Sequence, residues 1–176
     1  AGAYFMTEEE ADRLGRILFR EDGKTDAEMA GKSAKYLAQL AHIQVPDNTV
    51  LLISEQKYVS EKNPYSREKL CPVLAYYVED DWMHACEKCI ELLLSERRGH
   101  TLTIHSRDEA VIEQFALKKP VSRLLVNTPA ALGGVGATTG LQPALTLGCG
   151  AVGGSATSDN VGPMNLLNIR RVAWGL

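Results

Sequence analysis

The sequence predicts an α/β fold, a layered αβα arrangement of mainly parallel strands with helices packed against them. Three observations predict it. Residues 49 to 54, Thr-Val-Leu-Leu-Ile-Ser, form a largely apolar run of strand length, and a strand apolar on both faces suits a parallel sheet covered on both sides. From there to Asn127, strand-like and helix-like stretches alternate, the order that α/β layers require. Beyond Leu124 the chain becomes dense in glycine, with nine of its fifteen glycines between Gly133 and Gly162. Such a segment turns sharply or lies close to a ligand or another chain.

Each element follows from local signals. Thr7 and Glu10 have capping-box spacing, and Ala11, Leu14, Ile17 and Leu18 recur at helical spacing until Gly23, which predicts a helix over roughly 8 to 21. A second helix is expected over about 27 to 42, with Ala34, Leu37, Ala38 and Ala41 on one face and Val45-Pro46-Asp47-Asn48 as its terminating turn. After the strand at 49 to 54, a polar loop from Glu55 to Glu68 leads to a strand at about 72 to 78, a helix at 80 to 96 and a strand at 101 to 105. Ser106 with Glu109 repeats the capping-box spacing ahead of a helix at 107 to 117, and Ser122 to Asn127 is the next strand. In the last stretch, Leu167 to Trp174, Asn168, Arg170 and Arg171 interrupt Ile169, Val172 and Trp174. That is the pattern of an edge strand, and pairing with another subunit is one way to protect such an edge.

A length of 176 residues suits one domain with a proper core, and 45% hydrophobic and 23% charged residues are those of an ordinary globular protein. A net charge of -3 offers no field to gather nucleic acid or an anionic membrane. There is no uncharged apolar run of the ~18 residues that a membrane span needs. Ala1 to Glu10 lacks the basic-then-apolar order of a signal peptide, so a cytoplasmic address is expected. Cys71, Cys86, Cys89 and Cys149 lie in strand-like, helix-like and loop surroundings, where reduced thiols are expected in place of a disulfide framework.

Most motif-like stretches have a plain structural reading. Gly31-Lys32-Ser33 has the ending of a phosphate-binding loop, but Asp26 stands where that loop needs glycine and a helix precedes it, so it reads as helix surface. Cys86 and Cys89 share an amphipathic helix with Trp82, Ala85, Ile90 and Leu93 and have no second cysteine pair, so they read as structural. His42, His84, His100 and His105 show no metal-ligand spacing. Cys149 sits between glycines with no histidine or cation beside it in sequence to lower its pKa, and structural use is expected. Glu68 is different, because it stands after a polar loop and before Pro72 at the entrance to a buried strand. A carboxylate at a strand mouth can accept both hydroxyls of a ribose; the alternative is a solvated loop charge.

Several stretches together carry a family resemblance. Gly2-Ala3-Tyr4-Phe5, Ser66-Arg67-Glu68-Lys69-Leu70-Cys71-Pro72-Val73-Leu74, Gly99-His100-Thr101, Val126-Asn127-Thr128-Pro129, Leu145-Thr146-Leu147-Gly148-Cys149-Gly150 and Ser158-Asp159-Asn160-Val161-Gly162-Pro163 resemble the C-terminal part of CoA-acylating aldehyde dehydrogenases. These include the acetaldehyde and propionaldehyde enzymes of bacterial microcompartments and the dehydrogenase half of bifunctional aldehyde-alcohol dehydrogenases. The resemblance implies an aldehyde dehydrogenase-like catalytic-domain portion over 1 to 160 and an oligomerisation strand segment over 161 to 176. It also implies NAD as cofactor, an aldehyde and coenzyme A as substrates, and a location in the cytoplasm or inside a microcompartment. The nucleophilic cysteine and the dinucleotide-binding domain would lie upstream of Ala1, so that no residue of this chain is the catalytic nucleophile.

By the same resemblance Glu68 holds the nicotinamide ribose, and Leu70 takes the place where hydrolytic members carry an aromatic residue. Thr128, Pro129, Thr146 and Leu147 match segments lining the aldehyde pocket. Gly133 to Gly136 shape its mouth, and Leu167 to Trp174 pair across a homo-oligomer interface. Two other readings stand beside this one: a non-catalytic oligomerisation or assembly module on the same fold, and a hydrolytic aldehyde dehydrogenase that releases free acid.

Overall fold

The computed structural model describes residues 2–96 and 99–176, with the side chain of Glu96 outside the description. The chain folds as two compact units, Ala1–Glu96 and Arg97–Leu176.

In the first unit, strands β1 (Ala3–Phe5), β2 (Leu51–Glu55) and β3 (Val73–Tyr76) form a parallel sheet in that order, with Tyr4 beside Leu52 and Leu52 beside Val73. Helix α1 (Glu8–Leu18) starts with the predicted capping box: the Glu10 N–H donates to Thr7 Oγ1 at 3.2 Å and the Thr7 N–H donates to Glu10 Oε2 at 2.9 Å. It buries Ala11, Leu14 and Leu18 against a core that includes Leu37 and Ala38 of α2 (Ala34–Leu40) and the strand residues Leu52 and Val73. Removing a leucine side chain from water contributes about 1.5 to 3 kcal/mol, so this cluster is the main source of the unit's cohesion. Helix α3 (Trp82–Glu96) completes the unit, with its first-turn N–H groups of Met83 and His84 donating to Asp81 Oδ1.

Two expectations fail here. The helix expected over 27 to 42 is broken into a 3-10 turn, Ala27–Met29, and α2. Gly31 at φ +71° reverses the chain between them, and Ser33 Oγ caps α2 by accepting the Tyr36 N–H at 3.2 Å. Gly31-Lys32-Ser33 is therefore a capping turn and not helix surface. Strand β1 was not anticipated, because three residues are too short for a pattern and their hydrogen-bonding partner, β2, lies far along the sequence.

In the second unit, β4 (Thr101–Ile104) and β5 (Arg123–Val126) pair in parallel, joined through α4 (Glu109–Lys118). The predicted Ser106 cap is replaced by Asp108, whose Oδ1 accepts the N–H groups of Ala110 and Val111, while Ser106 Oγ accepts the Asp108 N–H. Helix α5 (Ala130–Gly134) follows β5, so Gly133 and Gly134 are the end of a short helix. The glycine-rich stretch 148–154 joins two antiparallel segments: Val161, Gly148 and Gly150 donate their N–H groups to the carbonyls of Thr146, Asp159 and Thr157 at 2.8 to 2.9 Å. Leu167 to Trp174 forms no strand, and its apolar side chains face solvent, Trp174 at 88% exposure.

Candidate functional site

The turn leading into β3 is held from several sides. The Tyr65 hydroxyl is buried and donates to the Ala11 carbonyl at 2.6 Å, and Lys69, itself buried, donates through Nζ to the carbonyls of Tyr65 at 2.6 Å and Arg67 at 2.8 Å. With Lys69 drawn inward, the flanking side chains of Glu68 and Leu70 are exposed. Leu70 has φ +48°, a left-handed conformation that costs an ordinary side chain roughly 1 to 2 kcal/mol. Its carbonyl accepts the Gly31 N–H at 2.8 Å, and the Glu68 carbonyl accepts Thr25 Oγ1 at 3.1 Å. A solvent-facing carboxylate on so firmly held a backbone suits a ligand with vicinal hydroxyls, so the residues present fit the ribose of a dinucleotide. Burial pushes the thiol pKa of Cys71 up, with Lys69 offsetting part of the effect; an activated nucleophile needs the reverse.

The second unit is organised around a buried cation. Arg123, at 5% exposure, opens β5 and donates in several directions: Nε to Asn160 Oδ1 at 2.7 Å, Nη1 to the Gly148 carbonyl at 2.8 Å and more weakly to that of His100 at 3.4 Å, and Nη2 to the Ser158 carbonyl at 2.9 Å. Asn160, also buried, passes the connection on, its Nδ2 donating to the carbonyls of Gly134 at 2.9 Å and Gln142 at 2.8 Å. A guanidinium presents five N–H donors in a rigid fork, which is what one residue needs to bond several segments at once. Burial lowers the pKa of Arg123, while Asp159 and Cys149 raise it. The His100 pKa is lowered by burial and then by Arg123.

Cys149 Sγ donates to the Gly153 carbonyl at 3.2 Å.

No protein-family model matches the chain. Aldehyde-alcohol dehydrogenase 2 of Entamoeba histolytica is 36% identical over 181 residues, a match covering 98% of this chain and 21% of that protein. The crystal structure of a probable aldehyde dehydrogenase from Listeria monocytogenes EGD-e superposes with a TM-score of 0.93 at 56% identity, over 99% of this chain and 39% of that one. That of an acetylating aldehyde dehydrogenase from Geobacillus thermoglucosidasius gives 0.92 at 42% identity, over 99% and 38%. The chain matches the acylating aldehyde dehydrogenases. It carries the α/β fold of these enzymes and spans 21% of the length of that curated relative.

The six predicted site residues divide between the units. Glu68 and Leu70 belong to the first. Thr128, Pro129, Thr146 and Leu147 belong to the second, where the fold brings most of them around α5. Thr128 is buried with its Oγ1 2.5 Å from Thr138 Oγ1, Pro129 caps α5, and Leu147 reaches over Gly134, its Cδ1 lying 3.5 Å from where a Cβ on that glycine would be. Thr146 is exposed beside it.

Two large clefts, of about 820 Å³ beside the start of α1 and about 500 Å³ between residues 122–123 and 158–165, contain none of the six. The second is walled by Arg123 and Asn160. Arg123 escaped the sequence reading because a lone arginine at a strand end looks solvated. The available signal was its position as the first residue of an otherwise apolar strand, Leu124-Leu125-Val126. Among the described residues no cluster of three or more histidine, cysteine, aspartate or glutamate side chains could hold a metal, and no helix is long and apolar enough to cross a membrane.

Proposed function

We propose that this chain is the part of an NAD-dependent, CoA-acylating aldehyde dehydrogenase that carries one cofactor contact and part of the aldehyde pocket. The nucleophilic cysteine and the dinucleotide-binding domain are supplied from outside these 176 residues. The observation that carries the reading is the 42% identity to an acetylating aldehyde dehydrogenase over 99% of the chain.

In this class of reaction a cysteine thiolate adds to the aldehyde carbon to give a thiohemiacetal. The C–H bond then breaks, its electron pair leaves as hydride, and the resulting thioester passes its acyl group to the thiol of coenzyme A, which frees the cysteine. NAD supplies the hydride acceptor. The Glu68 carboxylate accepts the ribose hydroxyls, and Leu70 presents an aliphatic surface where hydrolytic enzymes of the family have an aromatic one. Thr128, Pro129, Thr146 and Leu147 form a wall around the aldehyde. Leu167 to Trp174, whose Leu167, Ile169, Val172 and Trp174 are exposed in the single chain, pairs with another subunit.

The complete native protein, supplied with a short aldehyde, NAD and coenzyme A, is expected to form NADH and an acyl-CoA in equal amounts, read by absorbance and mass spectrometry. Free carboxylic acid in place of the thioester would make it a hydrolytic enzyme. No turnover, with a stable oligomer indifferent to NAD and coenzyme A, would leave the assembly module.

A further inference from the structure

Arg123 bonds the segment that carries Thr146 and Leu147, and Asn160 bonds the end of the helix that follows Thr128 and Pro129. Leu147 and Asn160 face each other as an antiparallel bridge pair. On one side of that bridge Arg123 bonds the carbonyl of Gly148, the residue after Leu147; on the other it bonds the carbonyl of Ser158. One guanidinium thus fixes the spacing of the two antiparallel segments. The segments approach so closely that a Cβ at Gly148 would collide with the Thr157 carbonyl. Asn160 then bonds the carbonyl of Gly134, the residue over which Leu147 reaches, and so sets the distance between Leu147 and the end of α5.

We infer that Arg123 and Asn160 are a positioning pair that sets the width of the aldehyde pocket, and with it the length of aldehyde accepted. The inference rests on the assignment of Thr146 and Leu147 to that pocket. Neither residue is required to touch the substrate. They act through the carbonyls of Gly134, Gln142, Gly148 and Ser158. A pocket wall moved by a fraction of an ångström changes how well one added methylene is accommodated, and one methylene is worth roughly 10- to 200-fold in discrimination. Lysine at 123 would offer a point charge in place of the fork, so it would retain only part of the restraint.

The test uses the complete native protein and variants Asn160→Ala, Asn160→Asp and Arg123→Lys, with acetaldehyde, propionaldehyde and butyraldehyde as substrates. The readout is the ratio of kcat/KM between aldehydes within one preparation, which loss of folded protein alone cannot move. The expected result is a shift of that ratio by about 5-fold or more toward the longer aldehydes in both Asn160 variants, with a smaller shift in Arg123→Lys. Asn160→Asp keeps the side-chain size and the acceptor for Arg123 while removing both donors, and it carries the test if Asn160→Ala does not fold. An unchanged ratio in an active variant overturns the inference alone, and failure of both Asn160 variants to fold overturns it in favour of a folding role. Absence of acyl-CoA from the unaltered protein overturns the functional reading, and the inference with it.

Discussion

The two units hold themselves together by different means. In Ala1–Glu96, Leu14, Leu18, Leu37, Leu52 and Val73 are almost wholly removed from solvent and form one continuous apolar cluster with further buried or partly buried neighbours such as Ala34 and Tyr4. In Arg97–Leu176 the buried apolar residues are few among those described, Ile104, Phe115 and Leu125, while Lys119, Arg123, Thr128 and Asn160 are buried as well. An apolar cluster fixes volume and tolerates small readjustments. A hydrogen-bonded network fixes distances and fails when one member is lost. The glycine-rich segments have too few side chains to pack, so their geometry comes from carbonyls bonded to Arg123 and Asn160. The unit assigned to the aldehyde is held by distance, and the unit carrying Glu68 is held by volume.

That contrast can be broken by substitution, with hydrogen exchange reading each unit separately. The largest effect is expected from Arg123→Met, which leaves the Gly148 and Ser158 carbonyls and Asn160 Oδ1 without their buried donor and costs about 3 to 5 kcal/mol. Its lost protection should concentrate at residues 146–150 and 157–161. Leu52→Ala opens a cavity in the apolar cluster and is expected to cost about 2 to 5 kcal/mol, with faster exchange within residues 2–96. Gly133→Ala would bring a Cβ to 2.6 Å from Thr128 Cγ2 and 3.1 Å from Leu125 Cδ1. Such overpacking is expected to cost about 1 to 3 kcal/mol in denaturant melts.

The smallest effect is expected from Tyr65→Phe, about 1 kcal/mol near neutral pH for the lost bond to the Ala11 carbonyl. Burial, followed by Asp12 and Cys71, raises the Tyr65 pKa above the ordinary value of 10.0. The folded state therefore holds this proton more tightly than the unfolded one, and the stability it contributes is fully present below about pH 10 and falls as pH rises beyond it. Melts between pH 9 and 11 should show a steeper alkaline loss for the unaltered protein than for the variant.

The same contrast governs what could be read from sequence. Helical spacing of Ala11, Leu14 and Leu18 behind a capping box marks α1 because the forces that form it are local and apolar. The strand at Leu51–Glu55 was legible from its apolar run for the same reason. The break in the second helix was missed because it depends on the positive φ of Gly31 and its bond to Leu70, some forty residues away. Arg123 was missed because its partners lie at 100, 148, 158 and 160. Glu68 and Leu70 were legible as candidates from their place before Pro72, but the buried Lys69 between them and the left-handed backbone at Leu70 appear only in three dimensions. Polar networks between distant segments leave no periodic trace.

The proposed function divides the labour, with the cofactor contact on the first unit and the aldehyde wall on the second. Glu68→Ala in the complete native protein tests it most directly, through KM for NAD and for aldehyde measured together. Loss of a charge-assisted hydrogen bond is worth about 1.5 to 3 kcal/mol, so KM for NAD should rise roughly 10- to 100-fold while KM for aldehyde stays within about 2-fold. An unchanged KM for NAD, or a rise confined to the aldehyde, would contradict it.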